Sequence, residues 1–211
     1  MNTLEALFLG VIQGITEFLP VSSSGHLELG KVLFGLQTKG QESLFLTLAL
    51  HVGTALSTLY VFREDIISLI RGVLSLKKNQ DHLFVGQLLL SMVPAVLVGL
   101  FMEAQIAVFF DQNLILVGGM LLITAILLFI AERVPTGSAE LSFSKALLIG
   151  LIQAVAILPG ISRSGATIAG GLLLGIGRKK AARFSFLMVL PLIFGSMAKS
   201  ILDHEGTPEQ L

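Results

Sequence analysis

Four stretches of this chain are apolar over nearly the length of a membrane-spanning helix. They cover residues 44–62, 84–102, 114–131 and 184–202. A helix that crosses the hydrocarbon core of a bilayer needs about 20 mostly apolar residues. Because unpaired backbone groups find no water there, a chain that crosses the core must satisfy them internally, as a helix does. The pattern predicts an all-α, polytopic membrane protein with about four full transmembrane helices.

The composition agrees with a membrane protein and excludes several other classes. Of the 211 residues, 54% are hydrophobic and 13% are charged, whereas soluble domains have about 45–50% and about 25%. The formal net charge is zero, so no nucleic-acid partner is expected. The chain has no cysteine, which rules out disulfides and thiolate metal sites. The N-terminus MNTLEALF lacks the basic start of a signal peptide, so we expect its apolar stretch to be retained.

Two shorter apolar stretches each end at a proline. They cover residues 6–19 and 146–158, and weaker apolar pieces follow at 27–36 and 166–176. Each break is rich in serine and glycine. A run of about 10–14 apolar residues is more typical of a re-entrant segment than of a full span. We therefore predict two re-entrant helix–break–helix hairpins, whose unwound backbone is buried in protein or lines a wet cavity.

The two hairpins are copies of one another. Without a gap, ALFLGVIQGITEFLPVSSSGHL, which begins at Ala6, aligns with ALLIGLIQAVAILPGISRSGAT, which begins at Ala146, and eight of the 22 positions are identical. Three predicted spans separate the copies, so the second must be inverted in the membrane. Inverted repeats with broken helices surround a central polar site in many transporters. We predict one membrane domain, 1–211, with repeat 1 at 1–133 and an incomplete repeat 2 at 140–211.

Basic residues predict the orientation. The segments 63–83, 132–145 and 177–183 hold ten of the fourteen Lys and Arg residues, and 103–113 holds none. Because cytoplasmic loops are enriched in Lys and Arg, we place the three basic segments inside. The N-terminus, the segment 103–113 and the C-terminus are then expected outside.

The first hairpin carries groups suited to catalysis. Glu17 and His26 are ionisable, and such residues inside a membrane are functional candidates. Gln13 and Glu17 are four residues apart on one helix face, where they could hold a divalent cation such as Mg²⁺ or Ca²⁺. Alternatively, Glu17 could form a structural ion pair with Arg163. The serines Ser22, Ser23 and Ser24 suit nucleophilic chemistry with His26 as a base, and they also suit capping of the next helix.

The second hairpin, PGISRSGAT, has the composition of an oxyanion-binding site. Arg163 offers planar paired donors that match phosphate, and the start of a helix favours anions. The other candidate phosphate-binding residues, which include two serines of the first hairpin, are glycines that let backbone N–H groups come close and hydroxyl donors: Gly160, Gly165, Ser22, Ser24, Ser162, Ser164 and Thr167. A structural cap alone would not need the arginine.

Together, QGITEFLPVSSSGH and LPGISRSGAT resemble the signature motifs of the undecaprenyl-diphosphatase family of the bacitracin-resistance type. The first matches (E/Q)-x-x-x-E followed by P-V-S-S-[ST]-G-H, and the second matches P-G-x-S-R-S-G-x-T. The resemblance continues through FREDI (62–66) and AARFSFLMVLPLIFG (181–195) and covers nearly the whole chain. It implies a bacterial inner-membrane phosphatase, open to the outer face, that regenerates the polyprenyl lipid carrier of the cell wall.

The chain departs from the family pattern in two places. Members usually have about two more spans after the segment that ends near residue 202, and without them the site would be more open or would require a homo-oligomer to close it. Gln13 stands where many members have a second glutamate, which weakens a metal site there.

By motif position, the resemblance implies that Ser23 attacks the terminal phosphorus and that His26 is the general base. His26 as the nucleophile is the variant. Arg163 and the phosphate-binding residues would stabilise the transferred group, and Glu17 would hold a cation or orient the nucleophile. The alternative function is a lipid-phosphate flippase or transporter, which would use the same anion-binding hairpins but would not need a nucleophile and a base.

Overall fold

The computed structural model of the protein describes residues 3–36, 41–75, 79–102, 105, 109 and 114–205. For 41–49 and 200–205 it describes the backbone only. Within them lie nine helices: α1 (Thr3–Phe18), α2 (Ser23–Leu33), α3 (Gln41–Val61), α4 (Arg63–Leu74), α5 (Gln80–Phe101), α6 (Leu114–Arg133), α7 (Phe143–Val155), α8 (Arg163–Leu173) and α9 (Arg178–Glu205). The described residues form no strand, only an isolated bridge between Ala139 and Ile176. The predicted all-α class is confirmed for this part of the chain.

Three helices among the described residues are long and apolar enough to cross a membrane. They are Gln80–Phe101, Leu114–Arg133 and Arg178–Lys199, at the positions predicted for the second, third and fourth spans. The first predicted span, 44–62, falls on α3, which is 21 residues long, but the side chains of 41–49 lie outside the description. Lys77, Lys78, most of the segment 103–113 and the C-terminal residues 206–211 also lie outside the described residues.

The segment 63–83, predicted only as a basic loop, contains a helix. In α4 the apolar residues follow helical spacing, at Ile66, Leu69, Ile70 and Val73. Acidic residues occupy the first turn and a basic residue the last, an arrangement that the helix dipole favours. Asp65 accepts a hydrogen bond of 2.9 Å from Arg183 Nε of α9. The segment is therefore an amphipathic helix attached to α9.

Each predicted hairpin is a pair of helices that fold back on one another through the same contact. In the first pair, a Cβ atom added to Gly30 of α2 would lie 3.2 Å from Cδ1 of Ile12 in α1. In the second, a Cβ atom added to Gly170 of α8 would collide with Cδ1 of Ile152 in α7. In the alignment of the two copies, each glycine and each isoleucine matches its counterpart. The small residue in each second arm allows the two helices to approach closely.

The two hairpins meet at their breaks, and we call residues 20–25 and 160–165 the hairpin seam. A Cβ atom added to Gly25 would lie 3.1 Å from Cα of Gly160, and one added to Gly165 would lie 2.7 Å from the carbonyl oxygen of Pro20. Gly25 and Gly165 occupy equivalent positions in the two copies, and so do Pro20 and Gly160. The contact between Gly25 and Gly160 and the contact between Gly165 and Pro20 are therefore equivalent in the two copies.

Replacing Gly165 by alanine is expected to destabilise the seam, because the new methyl group would overlap the Pro20 backbone, which has little room to move. Such overpacking costs about 1–3 kcal/mol and should lower the thermal unfolding temperature in detergent. The matched control is Gly14→Ala in α1, where an added Cβ has no neighbour within 4 Å. If both variants unfold at the wild-type temperature, the seam is not closely packed.

The remaining helices support the second hairpin. α5 lies beside α7, where Gln87 Nε2 of α5 donates a hydrogen bond of 3.0 Å to the carbonyl of Leu141 and Gly150 of α7 packs on the backbone of Ser91. α9 contributes Phe184 and Met188 to the largest cluster of buried apolar side chains, together with Ile149 of α7. α5 therefore supports α7, α9 packs on α8, where Gly171 lies against Ala181, and Gly160 of the second break lies directly against α6.

Candidate active site

A single carboxylate connects the two hairpins. Glu17, in the last turn of α1, is 9% exposed. Its Oε1 accepts a hydrogen bond of 2.6 Å from Arg163 Nη2 of the second hairpin. Its Oε2 accepts from Ser23 Oγ at 2.5 Å and from Gln13 Nε2 at 3.0 Å. The seam therefore brings together four of the residues singled out in the sequence.

Arg163 is the first residue of α8, and its side chain is 25% exposed. A charged group that is mostly buried needs a partner, and the ion pair with Glu17 supplies one. The ion pair between Glu17 and Arg163, which the sequence allowed as an alternative, is thus present. The ion pair still allows Arg163 to bind a phosphate, because a guanidinium has five N–H donors and the bond to Glu17 uses only one of its nitrogens.

The starts of α2 and α8 have the same hydrogen-bond pattern. Ser22 Oγ accepts from the Gly25 amide at 3.3 Å, and Ser162 Oγ accepts from the Gly165 amide at 3.0 Å. The hydroxyl pairs Ser22–Ser24 and Ser162–Ser164 lie 3.3 and 3.4 Å apart. Ser22 and Ser162 therefore cap their helices, as the sequence suggested for the first of them.

His26 is held by the backbone of the first break. Its Nδ1 lies 2.8 Å from the carbonyl oxygen of Ser22. A carbonyl oxygen can only accept, so Nδ1 carries the hydrogen and Nε2 keeps a free lone pair in the neutral ring. Ser22 has a positive φ of 72°, an uncommon conformation for a non-glycine residue that costs about 1–3 kcal/mol and is found more often at functional sites. No hydrogen bond joins Ser23 to His26 among the described residues; the hydroxyl of Ser23 is bonded to Glu17 instead.

A small pocket lies between the hairpins, α3 and α9. Its lining has both polar and apolar side chains and consists of Glu17, Phe18, Thr54, Thr58, Arg163, Ser164, Ser185, Phe186 and Val189. The Phe18 and Phe186 rings are 6.1 Å apart, and Phe62 continues the row at 5.7 Å from Phe186. The lining of the pocket thus contains the Glu17–Arg163 pair and an apolar wall of Phe18, Phe186 and Val189.

The predicted phosphate-binding residues divide by exposure. Ser24, Arg163 and Ser164 are partly exposed, whereas the others are buried: Ser22, Gly160, Ser162, Gly165 and Thr167. Thr167 Oγ1 is bonded to the carbonyl of Arg163 at 2.8 Å and lies 2.6 Å from Ser185 Oγ. In this structure the buried members shape the second break, and the partly exposed ones are free to meet a ligand.

The site offers few ligands to a cation. No cluster of three or more His, Cys, Asp or Glu side chains suited to a metal occurs among the described residues. Gln13 Oε1, however, is buried without a hydrogen-bond partner, one helical turn from Glu17. Flipping the amide, which exchanges its O and N, would direct this oxygen toward the carboxylate. Gln13 and Glu17 then fit a cation whose remaining ligands are phosphate oxygens and water.

Four hydroxyl residues near the site were not singled out in the sequence. Thr54 Oγ1 of α3 accepts from Gln13 Nε2 at 3.2 Å, and Thr58 and Ser185 line the pocket. Thr124 of α6 bonds to the backbone of the second break. Thr54 and Thr58 lie on one helix face of an apolar stretch, which was the available signal; the contact of Ser185 depends on tertiary structure.

Comparison with known proteins gives a consistent result. The family model described as "Bacitracin resistance protein BacA" matches residues 6–210. The chain is 52% identical over 205 residues to an undecaprenyl-diphosphatase of Christiangramia forsetii, covering 97% of this chain and 78% of that protein. It is 47% identical over 204 residues to one of Bacteroides fragilis (96% and 75%) and 38% identical over 217 residues to one of Alkaliphilus metalliredigens (96% and 78%).

Proposed function

The chain belongs to the bacitracin resistance protein BacA family, and we infer from this that it is an undecaprenyl-diphosphatase. It is an integral membrane enzyme that hydrolyses undecaprenyl diphosphate to undecaprenyl phosphate and phosphate. The observation that carries the chemistry is the Glu17 carboxylate, which bonds a hydroxyl and a guanidinium from opposite hairpins. The carboxylate thereby holds the proposed nucleophile, Ser23, close to the proposed phosphate-binding guanidinium of Arg163.

In the proposed first step, Ser23 Oγ attacks the terminal phosphorus. The new O–P bond forms as the bond to the bridging oxygen breaks, and undecaprenyl phosphate leaves. The hydroxyl proton passes to Glu17, which already accepts its hydrogen bond at 2.5 Å. This differs from the assignment of His26 as base in the first step. Phosphoryl transfer relies mostly on positioning and charge stabilisation, so a carboxylate paired with Arg163 can serve in this role.

In the proposed second step, His26 activates water. Its Nε2 lone pair accepts a proton from a water that attacks the phosphoserine, the bond from phosphorus to Ser23 Oγ breaks, and phosphate leaves. The proton held by Glu17 returns to Ser23 Oγ, which restores both groups. The bond from Nδ1 to the Ser22 carbonyl holds the ring in the tautomer that this role needs. The variant in which His26 itself attacks phosphorus would use the same Nε2 lone pair.

Phosphate binding is assigned to the partly exposed groups of the seam. Arg163 places a positive charge beside the transferred phosphoryl group, and Ser24 and Ser164 supply hydroxyl donors near it. A Mg²⁺ or Ca²⁺ ion held by Glu17 and Gln13 would add charge neutralisation for the diphosphate. The apolar wall of Phe18 and Phe186 is suited to the first isoprene units.

We also propose an inverted-repeat topology in the bacterial inner membrane, with re-entrant hairpins and a site open to the outer face. The support is that the hairpin contacts, the two caps and the seam all recur at equivalent positions of the two copies. The positive-inside pattern of the sequence supports an outside N-terminus. The partner that this topology provides for is the polyprenyl diphosphate lipid of the bilayer.

The test of the function is phosphate release from undecaprenyl diphosphate by the purified protein in detergent, with and without EDTA. Wild-type protein should release phosphate, and if a cation neutralises charge at the diphosphate, EDTA should lower the rate at least about 10-fold. Added Mg²⁺ or Ca²⁺ should restore it. Full activity in EDTA would reject the cation and leave the phosphatase intact, whereas no release under any condition would reject the phosphatase.

The same assay separates the enzyme from a lipid-phosphate transporter. Detergent micelles provide no second compartment, so transport cannot give a signal there. Phosphate release therefore reports chemistry alone. Ser23 and His26 favour the enzyme, because transport requires neither a nucleophile nor a base.

A further inference from the structure

Thr124 is an isolated polar residue in the middle of α6. Between residues 114 and 131 it is the one side chain with a hydroxyl, amide or charged group, and it is 3% exposed. Threonine in a membrane helix commonly bonds to a carbonyl of its own helix or to a neighbouring helix. Thr124 instead reaches the break of the second hairpin.

The hydroxyl of Thr124 makes two hydrogen bonds to that break. Oγ1 donates to the carbonyl oxygen of Gly160 at 2.9 Å and accepts from the amide of Ser162 at 2.9 Å. Both backbone groups are buried where no helix can satisfy them, because the chain is unwound there. Gly160 has a positive φ of 94° and packs on α6, where an added Cβ would lie 2.6 Å from the carbonyl of Val117.

These bonds lie directly before the phosphate-binding group. Ser162 caps α8 through the Gly165 amide, and Arg163 is the first residue of that helix. The backbone position of Ser162 therefore determines where the Arg163 side chain begins. Arg163 then reaches Glu17 at 2.6 Å, so a short chain of contacts runs from Thr124 to the carboxylate.

We propose that Thr124 is a positioning residue for the phosphatase reaction, which holds the second break so that Arg163 meets the phosphate. The inference rests on the proposed function and deepens it. Without the hydroxyl, a buried carbonyl and a buried amide lose their partner at once, and the break must shift to satisfy them. Arg163 shifts with it.

The test compares Thr124→Val, which keeps the shape and removes the hydroxyl, with Thr124→Ser, which keeps the hydroxyl. We expect T124V to lower kcat/KM for undecaprenyl diphosphate about 10- to 100-fold, the range for a misplaced catalytic group, and T124S to stay within about threefold of wild type on the same scale. The inhibition constant of inorganic phosphate should rise about 10-fold in T124V. A smaller folded fraction would not change that constant.

Ser91→Ala is the matched control, because Ser91 is a fully buried hydroxyl on α5 that bonds to Leu88 of its own helix. Its loss should leave both constants unchanged. Wild-type values for T124V, or equal losses in T124V and T124S, would overturn the proposal. If T124V does not fold, Thr124→Cys, with a weak donor and acceptor, should give an intermediate loss. If wild type releases no phosphate, the proposed function fails and the catalytic part of the proposal fails with it. Amide exchange at Ser162 then tests only whether the Thr124 hydroxyl holds the second break: faster exchange in T124V is expected, and unchanged exchange rejects it.

Discussion

Replacing Arg163 by alanine is expected to lower kcat/KM for undecaprenyl diphosphate about 10³-fold or more, the range measured when an arginine that stabilises a phosphoryl transition state is removed. Arg163 extends from the start of α8 into the pocket and pairs with Glu17 at 2.6 Å. Its loss removes the positive charge beside the transferred group and leaves a buried carboxylate without its counter-charge. Both effects oppose the binding of a diphosphate. The measurement is steady-state phosphate release in detergent.

Two further variants make the result specific. Arg163→Lys keeps the charge but loses the planar pair of donors, and we expect a loss of about 10²-fold. Arg183→Ala removes another arginine that pairs with a carboxylate, Asp65 at 2.9 Å, away from the pocket. It should lower stability and leave kcat/KM unchanged. Near-normal turnover of the Arg163→Ala variant would refute the proposed site.

Replacing Ser23 by alanine is expected to lower kcat on the order of 10³-fold or more, the scale on which enzymes respond to loss of a nucleophile. Ser23 Oγ is bonded to Glu17 Oε2 and lies one residue from the capping serine that orders the start of α2. Alanine keeps that helix start, because the cap is Ser22. The folded protein should therefore be retained while its chemistry is lost. Ser57→Ala, at an exposed hydroxyl of α3, is the control and should behave as wild type.

The phosphorylated intermediate identifies the nucleophile directly. Substrate labelled in the terminal phosphate, quenched during turnover, should leave an acid-stable phosphoserine on the wild-type chain and none on Ser23→Ala. His26→Ala should accumulate the phosphoserine, because its hydrolysis then lacks the activating base. An acid-labile label that persists in Ser23→Ala and disappears in His26→Ala would assign the attack to His26 instead.

The sequence predicted the fold where one local pattern dominates. Apolar length predicted the spans that coincide with α5, α6 and α9, and Pro20 with its serines predicted where α1 stops. The charges of the segment 63–83 predict a cytoplasmic loop, whereas its apolar residues, at helical spacing, form α4. The number of Lys and Arg residues in a segment indicates its side of the membrane, but the spacing of its apolar residues indicates whether its backbone is helical.

Some residues of the site could be predicted from the sequence, but their contacts could not. Glu17 and Arg163 were found because a charge is costly at membrane depth, and the structure places them 2.6 Å apart. The partner of Ser23 was not predictable, since both Glu17 and His26 are near it in sequence and tertiary packing selects the carboxylate. Thr124 lies 36 residues before Gly160, and no local pattern connects a helix to a loop at that separation.

The hairpin seam has a consequence for how substrate and product move. Alternating access requires one half of a membrane protein to rock against the other. Here Gly25 lies against Gly160 and Gly165 against Pro20 with no room for a single methyl group at the tighter contact, and the Glu17–Arg163 pair crosses the same line. Rocking would separate the groups on which the chemistry depends. The proposed chemistry therefore needs a closed seam, which is the contact that alternating access would have to open.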